Sequence, residues 1–160
     1  MEVVVLADTH LRGGVEGLPA AVLEAVAAAD LVLHAGDLVS ARAYQELAAM
    51  ATTTAVLGNN DHQLVGCLPL AVELELAGVR VAMVHDAGPS QGRAGRLRRR
   101  FPEADLVVFG HSHAPCDEAG IGGQRLFNPG SPTQRRRQPR PSLGRFEIAG
   151  GRVRSRIELL

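Results

Sequence analysis

The chain reads as an α/β protein whose second half turns α+β: two mixed β-sheets packed face to face, with helices on their outer faces. Three observations carry that reading. The first half alternates short β-branched, aliphatic runs with helix-length segments, the order expected of parallel strands joined by helical crossovers. From residue 71 onward the apolar runs come in pairs joined by tight glycine turns, which is the pattern of antiparallel hairpins. Finally, five blocks of metal-ligating residue types each stand just past an apolar run, where open α/β sheets bind their ligands.

The elements follow in order. Val3-Val4-Val5-Leu6 makes residues 2–7 a buried strand. A helix is expected over about 17–29, a strand over 31–34 (Leu31-Val32-Leu33), a helix over 41–50 and a strand over 53–57 ending in Ala55-Val56-Leu57. After Asp61, Ala71–Ala77 and Val79–His85 read as two strands turning at Gly78, followed by a helix over 91–100 and a strand over 105–109. Gln124–Phe127 is a further strand. Leu143–Ile148 and Val153–Leu159 flank a Gly150-Gly151 turn, and their alternation of apolar and charged residues suits a half-exposed hairpin. Gln134–Ser142, rich in Arg and Pro, reads as a long surface loop. With no repeat and no linker, residues 1–160 read as one domain.

Composition sets the surroundings. A chain of 160 residues can bury roughly 70% of its unfolded surface, so no disulfide or structural metal is needed for folding. Basic and acidic residues balance at 17 each, which leaves no global field to draw the protein to nucleic acid or an anionic membrane. All 17 basic residues are Arg, which with abundant Ala and Gly reflects base composition and carries no functional weight. Cys67 and Cys116 do not form a disulfide framework, and no charged start leads into a long apolar stretch. The expectation is a cytoplasmic protein with free thiols. No apolar run approaches the eighteen or so residues of a membrane span.

The five blocks are Asp8-Thr9-His10, Gly36-Asp37, Gly58-Asn59-Asn60-Asp61, His85 and Gly110-His111-Ser112-His113. Carboxylates and imidazoles suit Mn, Fe, Co, Ni and Zn, and a carboxylate has two oxygens with which to bridge a pair of ions. Asp8 and His10, one residue apart, can face one ion; His111 and His113 repeat that spacing on the opposite side, and Asp37 serves as the bridge. Asn59 adds a neutral oxygen, which keeps the site positive enough to attract phosphate. Together the blocks read as a two-metal hydrolase.

In this order they resemble the calcineurin-like metallophosphoesterase superfamily, and in length and motif wording its small prokaryotic phosphodiesterase branch. That pattern is D-x-H, G-D, G-N-x-D, a lone His after a strand, and G-H-x-H, commonly followed by N-P-G-S, here Asn128-Pro129-Gly130-Ser131. The resemblance implies a four-layer α-β-β-α sandwich. It assigns Asp8, His10, Asp37 and His113 to a first metal and Asp37, Asn59, His85 and His111 to a second, with Asp61 orienting the Gly58–Asn60 loop. Two residues depart from it. Asn60 stands where many phosphomonoesterases of the superfamily carry a proton-donating His and the small branch often has Cys. An amide cannot act as a general acid, although it can hydrogen-bond a phosphoryl or leaving oxygen. Asp86 stands where the family usually has Gly, and either repels an extra substrate charge or faces solvent. His34 reads as a core or supporting histidine, His62 lies just outside the ligand block, and Cys116 lacks the partner a zinc site needs.

Two arginine clusters remain. On Arg93–Arg100, Arg96, Arg99 and Arg100 share one face of a helix and read as a solvated surface. Arg135–Arg140 follows the N-P-G-S block, so Arg135 and Arg136 are assigned to phosphate binding through bidentate guanidinium contacts. The expected activity is phosphodiester hydrolysis by a metal-bridging hydroxide attacking phosphorus in line, with Asn60 and Asp61 assisting. It uses two divalent transition-metal ions per chain, Mn first, with Fe, Ni, Co and Zn as alternatives. A phosphomonoesterase or nuclease on the same site is an alternative, the nuclease weakened by neutral charge. An alternative of another class is a non-catalytic scaffold, because the retromer scaffold subunit shares this fold with a degraded metal site. The expected partner is a small phosphoester, with membrane excluded, nucleic acid disfavoured and homo-oligomerisation left open.

Overall fold

Val3, Val5, Leu31 and Leu33 point to one side of their strands while Val4, Leu6 and Val32 point to the other, and all are buried. A sheet apolar on both faces has to be covered twice, and that requirement sets the layers. The computed structural model describes residues 1–160. In chain order the elements begin with β1 (Glu2–Leu6), α1 (Ala20–Ala27), β2 (Leu31–His34), α2 (Ala41–Met50), β3 (Thr53–Ala55), β4 (Ala71–Leu76) and β5 (Val79–Val84). They continue with α3 (Arg93–Arg100), β6 (Leu106–Val108), β7 (Cys116–Ala119), β8 (Arg125–Asn128), β9 (Ser142–Ala149) and β10 (Arg152–Leu159).

Two five-stranded sheets result, ordered β10-β9-β1-β2-β3 and β4-β5-β6-β8-β7. Strands β1, β2 and β3 are parallel in the first, with β9 antiparallel to β1 and β10 antiparallel to β9. In the second, β5, β6 and β8 are parallel, with β4 and β7 antiparallel on the edges. Between the sheets lie Val5, Leu33, Met83, Val108, Phe127 and Phe146, all buried. The Phe127 and Phe146 rings meet edge to face, 4.7 Å between centroids, a favoured aromatic geometry. Val22 and Val26 of α1 with Ala43 and Leu47 of α2 cover the outer face of the first sheet. Leu97 of α3, with Phe101, covers Ala82, Val84, Val107 and Phe109 on the second. The layers are therefore helix, sheet, sheet, helix, as expected.

Boundaries shift for local reasons. The first helix begins at Ala20 because Pro19 stands extended before it, and residues 15–17 instead form a 3-10 turn. Ser40 caps α2 by accepting from the Ala43 amide at 3.3 Å, and an Arg42–Glu46 pair spans one helical turn. Strands β3 and β6 end before residues 57 and 109 because the chain there bends into ligand loops. Strand β7 was not foreseen: Cys-Asp-Glu-Ala has no apolar alternation, and pairing with β8 together with an Arg125–Asp117 ion pair holds it.

At Gly144 of β9 the opposite sheet presses close, since a Cβ there would strike the Phe127 ring. Gly144→Ala should lower the unfolding free energy by about 1–3 kcal/mol through overpacking, measured by denaturant titration. Combining it with Phe127→Leu should return part of that loss; independent, additive losses would show that the two side chains do not compete for this space.

Candidate metal centre

All six parallel strands deliver a loop to one edge of the sandwich, with Asp8 and His10 after β1, Asp37 after β2, Asn59 after β3, His85 after β5, His111 and His113 after β6, and Asn128–Ser131 at the end of β8. Asp8, His10, Asp37, His111 and His113 all adopt positive φ, between 45° and 69°, a region sparsely used by non-glycine residues. Such strain persists only where surrounding bonds over-determine it. Here the Asp8 amide donates to Gly36 O at 2.9 Å, the His10 amide to Asp37 O at 2.9 Å, and the His111 amide to Asp8 Oδ1 at 3.1 Å. Two motif glycines serve close approach: a Cβ on Gly36 would lie 2.6 Å from His85 Nδ1, and one on Gly58 would collide with the Asp37 amide and carboxylate.

The side chains converge as two carboxylate–imidazole triads, Asp8–His10–His113 and Asp8–Asp37–His85. His113 Nε2 lies 3.5 Å from Asp8 Oδ1 and 3.2 Å from His10 Nε2. Asp37 Oδ2 lies 3.6 Å from His10 Nε2 and 3.5 Å from His85 Nε2, between the two groups. Asn59 Oδ1 extends the second side, 3.2 Å from His85 Nε2 and 3.0 Å from His111 Nδ1. The expected ligands are thus gathered, with Asp8 rather than Asp37 common to the two triads.

The donors fit divalent metal. Asp8 Oδ2 is buried without a hydrogen-bond partner. His85 Nδ1 donates to Ala35 O at 2.7 Å and His113 Nδ1 to Gln134 O at 2.6 Å. Such bonds fix the tautomer and turn Nε2 toward the cluster, as in metal-ligating histidines generally. Burial pushes the Asp8 carboxyl up to about 7 and the His113 imidazole down to about 4; it also lowers His10. Burial alone would raise Asp37, but hydrogen bonds from His85 and Asn60 outweigh it and hold this carboxyl below its usual range. At His85 burial acts downward, and the Asp37 carboxylate and Ala35 carbonyl together prevail, raising it.

Supporting residues lock the loops. Asp61, 1% exposed, accepts the amides of Asp37 (2.9 Å) and Gly58 (2.7 Å) on Oδ2 and that of Val39 (2.6 Å) on Oδ1. Asn128 donates to Gly110 O at 2.9 Å, and Ser131 Oγ donates to Asp8 O at 2.8 Å. Thr133 Oγ1 donates to Thr9 O at 2.8 Å. The N-P-G-S block therefore ties the β1 and β6 loops together, a role visible in the sequence only as a motif. His34 is buried beside Thr9, 3.0 Å from its hydroxyl.

Other expected residues are placed differently. The Asn60 side-chain amide donates one N–H to Asp37 Oδ2 at 2.6 Å and its backbone amide donates to Oδ1 at 2.8 Å, so side chain and backbone both engage the carboxylate. Arg136 Nη1 contacts His111 O at 3.5 Å, whereas Arg135 Nη1 turns back to Gln138 O within its own loop. Arg96 is half-buried and does more than face solvent: its guanidinium donates to the carbonyls of Ala87, Pro89 and Gln91 and braces the loop after His85. Asp86 and His62 line a cleft of about 510 Å³ together with Asn59, His85 and His111.

A stacked-sheet sandwich that gathers carboxylates and imidazoles at its strand ends has the donors of a metal-binding protein. The chain belongs to the calcineurin-like phosphoesterase superfamily, whose domain model matches residues 1–151. It is 33% identical over 155 residues to a probable metallophosphoesterase of Methanothermobacter thermautotrophicus, covering 96% of this chain and 89% of that protein. A Thermotoga maritima protein solved in solution superposes with a TM-score of 0.78 at 28% identity, over 99% of each chain. Wild-type Vps29 of Entamoeba histolytica, crystallised in complex with zinc, superposes with a TM-score of 0.76 at 22% identity, again over 99% of each. No helix is long and apolar enough to cross a membrane.

The raised Asp8 carboxyl gives a signed expectation for stability. Unfolded, an aspartate titrates near pH 4; folded, Asp8 titrates at about 7. Below pH 4 both states hold the proton, and between 4 and 7 only the folded state does, so the stability of metal-stripped protein falls as pH rises through that window. Asn carries no such penalty and keeps the oxygen that accepts the His111 amide. Metal-stripped Asp8→Asn should therefore melt higher than wild type at pH 8, with the gain vanishing near pH 4. An equal or lower Tm at pH 8 would contradict the burial penalty.

Proposed function

We propose that this protein hydrolyses phosphodiesters with two divalent metal ions per chain. Asp8, His10, Asp37 and His113 would hold one ion, and Asp37, Asn59, His85 and His111 the other. The observation that carries the reading is the position of Asp37 Oδ2, 3.6 Å from His10 Nε2 and 3.5 Å from His85 Nε2, within reach of an imidazole from each proposed ion's set. Oxygen and imidazole donors without thiolate favour Mn, with Fe, Co, Ni and Zn also compatible. When bound, such a pair activates water and offsets charge on the phosphoryl oxygens. Arg136, whose guanidinium contacts the His111 carbonyl, would bind a non-bridging oxygen. Asn60 holds Asp37 in its bridging orientation, and Asp61 holds the loops that carry Asp37 and Asn59.

The preference for diesters follows from proton bookkeeping. No general acid stands at Asn60, so substrates whose leaving oxygen is already stabilised, such as aryl diesters, are favoured over alkyl monoesters. A monoester would also bring a second negative charge toward Asp86 on the cleft wall.

Metal analysis after reconstitution with Mn should find close to two ions per chain, and Asp37→Ala should lose both. A stoichiometry of one or none in the wild type would overturn the two-metal reading. Asn60→His would introduce a proton donor, a role worth about a hundredfold or more, and should raise monoesterase relative to diesterase turnover. A wild type that already prefers alkyl monoesters would overturn the diester preference; an unchanged ratio in the variant would move the acid to His62.

A further inference from the structure

We infer that the cleft beside Asn59, His85 and His111 is a subsite for a bulky, uncharged apolar ester group of aryl size, with Val65 and Leu70 as its specificity-determining contacts. The inference rests on the phosphodiesterase reading and deepens it. At about 510 Å³ the cleft is in the range that holds small-molecule ligands. It shares Asn59, His85 and His111 with the candidate metal centre, so a group seated there lies beside that centre.

One wall is apolar, formed by Leu57, Val65 and Leu70. Val65 and Leu70 are 65% and 71% exposed, large aliphatic side chains held in water at the rim of a polar site. Their segment is built to keep them there. The 3-10 turn His62–Leu64 buries Leu64, and Leu68 follows it into the core beneath the first sheet. The Leu57 amide donates to Pro69 O at 2.7 Å and the Cys67 amide to Leu64 O at 2.9 Å. Inward leucines and these backbone bonds pin the stretch, leaving Val65 and Leu70 on its outer side at fixed positions. Preorganised apolar surface of this kind binds an apolar group without first ordering a loop.

The charged side chains of the lining are Asp61, Asp86 and Arg100, two carboxylates to one guanidinium, so the cleft offers no surplus of positive charge to a second phosphate. The cation suited to anionic oxygens is Arg136, whose guanidinium meets the His111 carbonyl at 3.5 Å and which does not line this cleft. The two arms of a diester thus meet different surroundings: polar or charged substituents beside Arg136, and the apolar arm against Val65 and Leu70.

The test uses two stable monoanionic diesters, diphenyl phosphate and dimethyl phosphate, as competitors of bis(4-nitrophenyl) phosphate hydrolysis by the metal-loaded protein. Wild type should bind diphenyl phosphate more tightly. Val65→Ser/Leu70→Ser, conservative for folding because both side chains are exposed, should cut that preference by about five- to tenfold while leaving inhibition by dimethyl phosphate unchanged. An unchanged preference, or an equal loss for both competitors, would overturn the subsite. A second readout needs no turnover: diphenyl phosphate should shift the NMR methyl signals of Val65 and Leu70, and dimethyl phosphate should not. If no diester is hydrolysed, the phosphodiesterase reading fails, and these shifts still decide the subsite by themselves.

Discussion

The loops after β2 and β3 share one acceptor, the carboxylate of Asp61. It takes up the amides of Asp37, Val39 and Gly58, which come from two different strand ends. Buried amides need partners, and where the chain leaves a parallel sheet for a left-handed turn the neighbouring strand no longer supplies them. Asp61 supplies them from the side. Because Gly58 then packs directly onto the Asp37 backbone, the Asp37 carboxylate and the Asn59–Asn60 pair are placed relative to one another by bonds that involve the side chain of neither. The rest of the centre hangs on that frame: Asn60 holds Asp37 from above, His85 stands against Gly36, and the β1 loop is paired to Gly36 and Asp37.

The positions of the ligand blocks were legible because the chemistry and the fold use the same punctuation. An apolar run ends, and a ligand follows. Helix-on-sheet layering was legible from periodicity for the same reason. What escaped the sequence was whatever depended on direction rather than position. Strand β7 has the composition of a loop and is a strand only because β8 offers it an edge. Arg135 and Arg136 are neighbours of identical type, yet the positive φ of Arg136 separates their courses, one toward His111 and the other back into its own turn. The hold of Asn60 on Asp37, through its backbone amide and one of its two side-chain N–H bonds, has no signature in the sequence. Arg96 looked like part of a charged outer face and instead gathers three carbonyls.

Charge is distributed unevenly across the centre. On the His113 side, burial lowers both imidazoles and so favours their neutral form. On the His85 side, the Asp37 carboxylate and the Ala35 carbonyl shift the imidazole the other way, upward. The two halves are alike in residue type and opposite in the direction of that shift.

The loops are also closed by bonds that do not pass through any ligand atom. Ser131 and Thr133 grip the carbonyls of Asp8 and Thr9, Asn128 grips that of Gly110, and Asp61 grips three amides. A lineage could therefore shed a liganding side chain and keep its tertiary structure, since the knots that tie the rim are elsewhere. Mutational drift at the ligands and drift at the knots are separable histories: the first abolishes chemistry and leaves a folded surface free for other uses, and the second removes both at once.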